Sequence, residues 1–352
     1  MTGLFSPISI KSVEIKNRVV LPPMVRFGWS DEKGFVTDRH IKHYSQIARG
    51  GAGLIIIEAL AIAKDGKSGE DQLGIWSDDH IEGIGKIAEA CHRYGSVVTA
   101  QIQHAGLKTP ISVSKIALAP SDFTNNDHLV AKALNIKEIQ KIQDQFVDAS
   151  VRAKKAGLDG IEFHGAHGYL LNQFLSPITN NRNDSYGGSL NARATFIRQM
   201  IEKVKSCVGD DDFIIGYRMG GNEPTLDEGI KIAKILENSG IDLLHVSSGI
   251  ENNTIPKPPP DFEYHWIVYC GTEIKKQVRI PVIVVNRIKT PDQAKYLIEN
   301  DLADFIAVGR GQLCDMDWAN KAKDNLKVIK CLECAECFWF NDFKKCPRYN
   351  FD

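Results

Sequence analysis

The chain has 352 residues, 43% of them apolar and 25% charged, with a formal net charge of −1. That balance excludes a field able to gather nucleic acid or an anionic membrane surface, and no apolar run approaches the ~20 residues that cross a bilayer. The N-terminal Met1-Thr-Gly-Leu-Phe-Ser-Pro lacks the basic-then-apolar layout of a signal peptide, so a cytoplasmic protein is expected.

The segment Leu4 to Arg18 alternates apolar and polar residues about Lys11-Ser12 and reads as a hairpin closing the bottom of something larger. Val19–Leu21 is a buried strand stopped by Pro22-Pro23. Seven further apolar runs follow: Leu54–Ile57, Val97–Ala100, Ile161–Phe163, Phe213–Ile215, Leu243–Val246, Val282–Val285 and Phe305–Val308. Between them lie amphipathic stretches with helical periodicity, at Asp38–Arg49, Asp79–Tyr94, Ile136–Ala156, Ala192–Val208, Thr225–Ser239 and Thr290–Glu299. Short runs that are apolar throughout suit parallel strands covered on both faces. Eight of them alternating with helices predict an α/β fold, a (β/α)8 TIM barrel over residues 1–325 with an N-terminal capping hairpin. A doubly wound open sheet is the alternative. A proline-rich loop, Glu251 to Tyr264, is expected over the mouth.

In a barrel the strand ends converge on one face. Here they carry Pro23-Met24, Glu58-Ala59, Gln101, Gln103-His104, His164, Arg218, Ser247-Ser-Gly249, Asn286-Arg287 and Gly309-Arg310. The glycine-rich ends after the sixth and eighth strands offer backbone N–H groups for a phosphate, with Arg310 as a charged partner. Arg218 and Gln101 together suit the edge of a planar heterocycle on which negative charge develops. His164 and His167 read either as a metal pair or as two N–H donors holding a substrate oxygen, with Tyr169 beside them as a proton donor. Glu162 is expected to face the other way on its strand and so not to serve as a third ligand.

Pro23-Met24, Gln101-Ile-Gln-His-Ala-Gly, His164-Gly-Ala-His-Gly-Tyr-Leu, Phe174-Leu-Ser-Pro, Asn181-Arg, Tyr186-Gly-Gly-Ser and Gly309-Arg310 together resemble the Old Yellow Enzyme family of FMN-dependent ene-reductases. The likeness runs from Leu4 to about Asp317. Within the family it is nearest the bacterial branch holding the barrels of 2,4-dienoyl-CoA reductase and trimethylamine dehydrogenase. The resemblance implies FMN in the mouth, with backbone at Pro23, Met24, Val25 and Ala59 along the ring and Gln101 and Arg218 at its pyrimidine edge. Gly249, Asn286, Arg287, Gly309 and Arg310 would surround the phosphate. His164 and His167 would bind the activating oxygen of an unsaturated carbonyl or carboxyl substrate, Tyr169 would protonate the α-carbon, and NAD(P)H would reduce the flavin. Three departures stand out. Val25 replaces the flavin-tuning cysteine of some relatives, Phe27 replaces a hydrogen-bonding tyrosine, and the loop after Ser247 lacks the extra histidine of dienoyl-CoA reductases. Arg26 is a candidate contact for an anionic substrate. The other activities the resemblance allows are an amine dehydrogenase or demethylase, which needs an aromatic bowl near Tyr264 and Trp266, and a flavin-carrying electron-transfer subunit.

Half of the eight cysteines, Cys331, Cys334, Cys337 and Cys346, crowd into a tail taken as residues 326–352. Clustering of that kind in a cytosolic chain indicates metal ligation rather than disulfides. Gaps of 2, 2 and 8 residues resemble [4Fe–4S] ligation, with a structural four-thiolate zinc site as the alternative. No strand-linked G-x-G-x-x-G occurs. A cluster would therefore draw on a separate electron-donor protein, whereas with zinc NAD(P)H would reduce FMN directly. A homo-oligomer is expected.

Overall fold

The computed structural model describes residues 3–125, 128–251, 253–340 and 342–348. Strands β1 (Ile8–Ile10) and β2 (Val13–Ile15) form the expected antiparallel hairpin, turning at Lys11 in the left-handed region. Eight parallel strands then close on themselves: β3 (Val19–Leu21), β4 (Leu54–Ala61), β5 (Val97–Gln103), β9 (Gly160–Gly165), β10 (Ile214–Gly220), β11 (Leu243–Ser247), β12 (Val282–Val285) and β13 (Phe305–Ala307). The open doubly wound sheet is thereby excluded.

The pleat sorts side chains with a period of two. Ile161, Phe163, Ile215, Tyr217, Leu244 and Val246 face the helices in one continuous core. Val20, Leu54, Ile56, Val97, Ile214, Leu243, Ile283 and Phe305 fill the lower barrel, and Ile10 and Ile15 of the hairpin pack beneath them. Each such side chain contributes about 2 kcal/mol on leaving water, so the lower barrel is a plug. The lumen turns polar only towards the C-terminal strand ends.

Several boundaries differ from the sequence expectation. The stretch Ala192–Val208 is two helices, Leu190–Arg193 and Thr195–Val208, parted at Ala194. Strands β4, β5 and β10 run three to five residues beyond their apolar runs, because Gln101 and Arg218 sit inside the ladder and β4 resumes pairing at Leu60 past an irregularity that holds Glu58. A three-stranded sheet, β6 (Ala117–Ala119), β7 (Phe123–Asn125) and β8 (His128–Ala133), was not foreseen. Its strands are short and partly exposed, and only Ala117, Ala119 and Ala131 form a core, too little for a periodic signal. Among the described residues no helix is long and apolar enough to cross a membrane.

Candidate active site

The face holding the strand ends opens into a cavity of about 330 Å³. One wall is apolar, from Pro22, Pro23, Met24 and Ile267. The opposite end is cationic, from Arg287, Lys289 and Arg310, and His167, Arg218 and Ser247 reach into the space between. Asn286 and Arg287 both adopt positive φ, 105° and 54°, which turns the chain sharply as β12 ends and brings these side chains to the rim. A Cβ at Gly309 would stand 3.1 Å from Met24 Sδ and 3.2 Å from Pro22 Cγ, so glycine lets the backbone close on this wall.

Arg218 is 8% exposed and its Nε has no hydrogen-bond partner. Burial lowers its pKa, and the nearby Glu162 carboxylate and Tyr169 oppose that shift. A buried guanidinium with free donors suits an electron-rich or anionic ligand. Gln101 is 2% exposed, one layer deeper, and its Nε2 donates to Glu162 Oε1 at 2.7 Å. Glu162 therefore faces the lumen, against the expectation that it points away. The reason is elementary: positions 162 and 164 share parity on β9, so the two side chains share a face.

His164 and His167 are adjacent, with ring centroids 5.0 Å apart and His167 Nδ1 3.4 Å from His164 Nε2. His167 lies in the left-handed region at φ 59°, and its Nε2 meets Ser247 Oγ at 2.7 Å. Burial holds both pKa values well below the usual histidine range, with Arg218 adding to the effect. Both rings are thus neutral near pH 7, and each offers one N–H. Ala166 N–H points at His164 Nδ1, which leaves the proton of that ring on Nε2. The Tyr169 ring stands 4.6 Å from that of His164. Burial raises its hydroxyl pKa, so Tyr169 keeps the proton it would deliver.

Other candidates sit elsewhere. Arg26 is buried between the indoles of Trp29 and Trp339, at 4.6 and 4.7 Å from their centroids, and does not face the mouth. The cation near the histidines is instead Lys108, half exposed, 4.0 Å from Glu251 and close enough to depress both histidine pKa values. Nothing in its surroundings in the sequence marked it. Gly249 donates its N–H to Asn222 Oδ1 at 3.0 Å, and a Cβ there would strike the Glu223 carboxylate. It is a packing glycine rather than part of the cationic rim. Val25 does not line the cavity, and the Ala59 carbonyl is engaged by Gln72 Nε2 at 2.7 Å. Tyr264 stacks on Tyr296 and hydrogen-bonds the Gln293 carbonyl, forming no bowl over the cavity.

The tail folds back onto the barrel. Cys331, Glu333, Cys337 and Phe340 help line the main cavity, and Glu333 faces Lys289, Arg287 at 3.7 Å and Arg310 at 3.6 Å. Behind them Cys331, Cys334, Cys337 and Cys346 surround a second, small cavity together with Cys314, from the helix Arg310–Cys314. The Cys314 thiol pKa is raised by burial and by Cys331 and Cys346. In sequence Cys314 had stood apart from the cluster. Among the described residues no group of three or more ligating side chains closes to the geometry of a metal site.

A planar, electron-poor ring with a phosphate tail fits this cavity: an apolar wall, an unpartnered buried guanidinium and a cationic rim suit the three parts of FMN. The comparisons with known proteins agree. The family model for NADH:flavin oxidoreductase / NADH oxidase matches residues 3–328. The NADH oxidase of Thermoanaerobacter brockii is 42% identical over 94% of this chain, which spans only 52% of that longer protein. The NADPH dehydrogenase of Halalkalibacterium halodurans is 37% identical over 91% of this chain and 93% of its own. The solved structure of the old yellow enzyme homologue from Zymomonas mobilis superposes with a TM-score of 0.79 at 27% identity, over 97% of this chain and 99% of that one. The chain belongs to the NADH:flavin oxidoreductase / NADH oxidase family, the Old Yellow Enzyme family of FMN barrels.

Proposed function

We propose that the chain is an FMN-dependent, NAD(P)H-driven reductase of activated C=C bonds in α,β-unsaturated carbonyl or carboxyl compounds. The observation that carries the reading is that Arg218 and His167 reach into one cavity, with the neutral His164 ring packed against His167 and the protonated Tyr169 ring against His164. Bound FMN would supply hydride chemistry, accepting hydride from a nicotinamide and passing it to a carbon. Pro23 and Met24 would back its ring, Arg218 and Gln101 would meet its electron-rich edge, and Asn286, Arg287, Lys289, Gly309 and Arg310 would face its phosphate. His164 and His167 would donate N–H groups to the substrate oxygen and draw charge from the β-carbon. Tyr169 would give its hydroxyl proton to the α-carbon. For a carboxylate substrate, Lys108 replaces Arg26 as the anchoring cation. A substrate panel of enones, enals and enoates, assayed anaerobically with NADH and NADPH, tests the reading; reduction of the flavin with no transfer to any of them would sink it.

The thiols of residues 326–352 favour a second element. Cys331 and Cys337 border both the small thiol-lined cavity and the flavin cavity, and Glu333 N–H points at Cys331 Sγ at 3.4 Å. A [4Fe–4S] cluster on Cys331, Cys334, Cys337 and Cys346 would stand next to the flavin and pass electrons from a donor protein, and a zinc ion held by the same four thiolates would be structural. Iron and acid-labile sulfide in the purified protein support the cluster; stoichiometric zinc without them contradicts it.

A further inference from the structure

Inside the barrel, four adjacent strands bring a buried polar set together. Gln101 on β5 pairs in register with Glu162 on β9, and Arg218 on β10 with His245 on β11. Glu162 is 3% exposed and His245 is fully buried. Glu162 Oε1 accepts from Gln101 Nε2 at 2.7 Å, and Oε2 pairs with His245 Nδ1 at 2.8 Å. Nothing in the chemistry proposed above uses Glu162 or His245.

Hydrogen-bond rules settle the orientation of both partners. An ionised carboxylate only accepts, so the Gln101 atom facing it is the amide nitrogen, and the amide oxygen is turned away from Glu162. By the same rule His245 Nδ1 carries its hydrogen. Burial keeps the His245 ring neutral, so Nε2 is a bare lone pair, and it has no hydrogen-bond partner. What remains is one formal anion, Glu162, set against one formal cation, Arg218, in a dry layer where charges act strongly on each other.

We infer that Glu162 is a positioning residue of the flavin site, which fixes the Gln101 amide and offsets the Arg218 charge, and thereby sets the flavin reduction potential. The inference rests on the FMN reading above. Two-electron reduction with one proton leaves the flavin ring with a net negative charge, which Arg218 attracts and Glu162 repels. The carboxylate would therefore hold the potential of bound FMN down and make its reduced form a stronger reductant.

The test is the midpoint potential of the FMN-loaded protein, with FMN content read from its visible spectrum. Glu162→Gln keeps the shape and removes the charge. It should favour the reduced form by about tenfold or more, equivalent to a rise of about 30 mV for a two-electron couple. Glu162→Asp keeps the charge and should stay closer to wild type than Glu162→Gln. An unchanged potential in Glu162→Gln, or an equal shift in Glu162→Asp, overturns the inference, since a role in packing alone predicts one or the other. Should Glu162→Gln not fold, the Arg218→Gln background replaces it, because removing both members of a buried pair is tolerated better than removing one. There the added Glu162→Gln should raise the potential above that of Arg218→Gln alone, and equal potentials overturn the inference. Wild-type protein that takes up no FMN would instead refute the flavin reading itself.

Discussion

Replacing His164 and His167 by alanine, singly and together, tests the substrate clamp most sharply. The two nitrogens are 3.4 Å apart, buried and uncharged, and His167 lines the cavity together with Arg218. Removing one pre-aligned donor from a developing oxyanion costs about 10²–10³ in rate, or ~2.7–4 kcal/mol. Because the rings touch, the effects should not add. The double variant is expected near 10³–10⁴ rather than the product of the two. The assay is stopped-flow reoxidation of photoreduced enzyme by an enone under anaerobic conditions, which isolates this half-reaction from nicotinamide binding. FMN content should be unchanged, since neither histidine is assigned to the flavin. A double variant that reoxidises within about threefold of wild type, a small fraction of one donor's worth, would refute the reasoning.

Other consequences follow from the same geometry. Tyr169→Phe should lower turnover by about 10²-fold while the flavin is still reduced normally, because only the proton donor is lost; solvent-deuterium incorporation at the α-carbon reads this out. Lys108→Ala should raise KM for enoates several-fold and leave KM for uncharged enones unchanged. Acid should destabilise the fold in a defined window. Burial lowers the pKa of His40 to about 4, His43 to about 3 and His104 to about 4, against 6.5 when unfolded. Their stabilisation is therefore complete above pH 6.5 and is lost as pH falls towards those values. Glu58, raised by burial from 4.5 to about 8, works in the opposite sense and cancels one of the three protons between pH 4.5 and 6.5. The lowered histidines outnumber it, so stability in denaturant titrations should fall as pH drops from 6.5 towards 4.5. A slope of the opposite sign would contradict the burial of these rings. On the proposed four-thiolate site, Cys334→Ser should abolish any tail-bound iron or zinc found in the wild type, measured by elemental analysis, and leave FMN bound.

Most of the barrel was legible because parallel strands buried on both faces write themselves as apolar runs, unbroken at β3, β12 and β13. The proposed site groups were legible where a polar side chain ends an apolar run, as at His164 and Arg218. Positions that required knowing the other strands were not. Glu162 shares the parity of His164 and hence its face, but lies between Ile161 and Phe163 with nothing in sequence to show its partners, and His245 is hidden inside an apolar run between Leu244 and Val246. Arg26 follows a strand end and looks like a mouth residue, yet Trp339 of the tail, more than 300 positions away in sequence, covers it. Cys314 joined the tail thiols only through the fold. Gly249 shows the limit of reading glycine as a phosphate cradle: its missing side chain makes room for Glu223 instead.

The most direct test of the whole account is a single anaerobic titration. Protein loaded with FMN is bleached by one equivalent of NADH or NADPH and then mixed with a cyclic enone, while the flavin spectrum and the product are followed. The account predicts one FMN per chain, stoichiometric bleaching, and recovery of the oxidised spectrum with an equal amount of saturated ketone. Bleached flavin that recovers only on admission of oxygen, with the enone untouched, would contradict it.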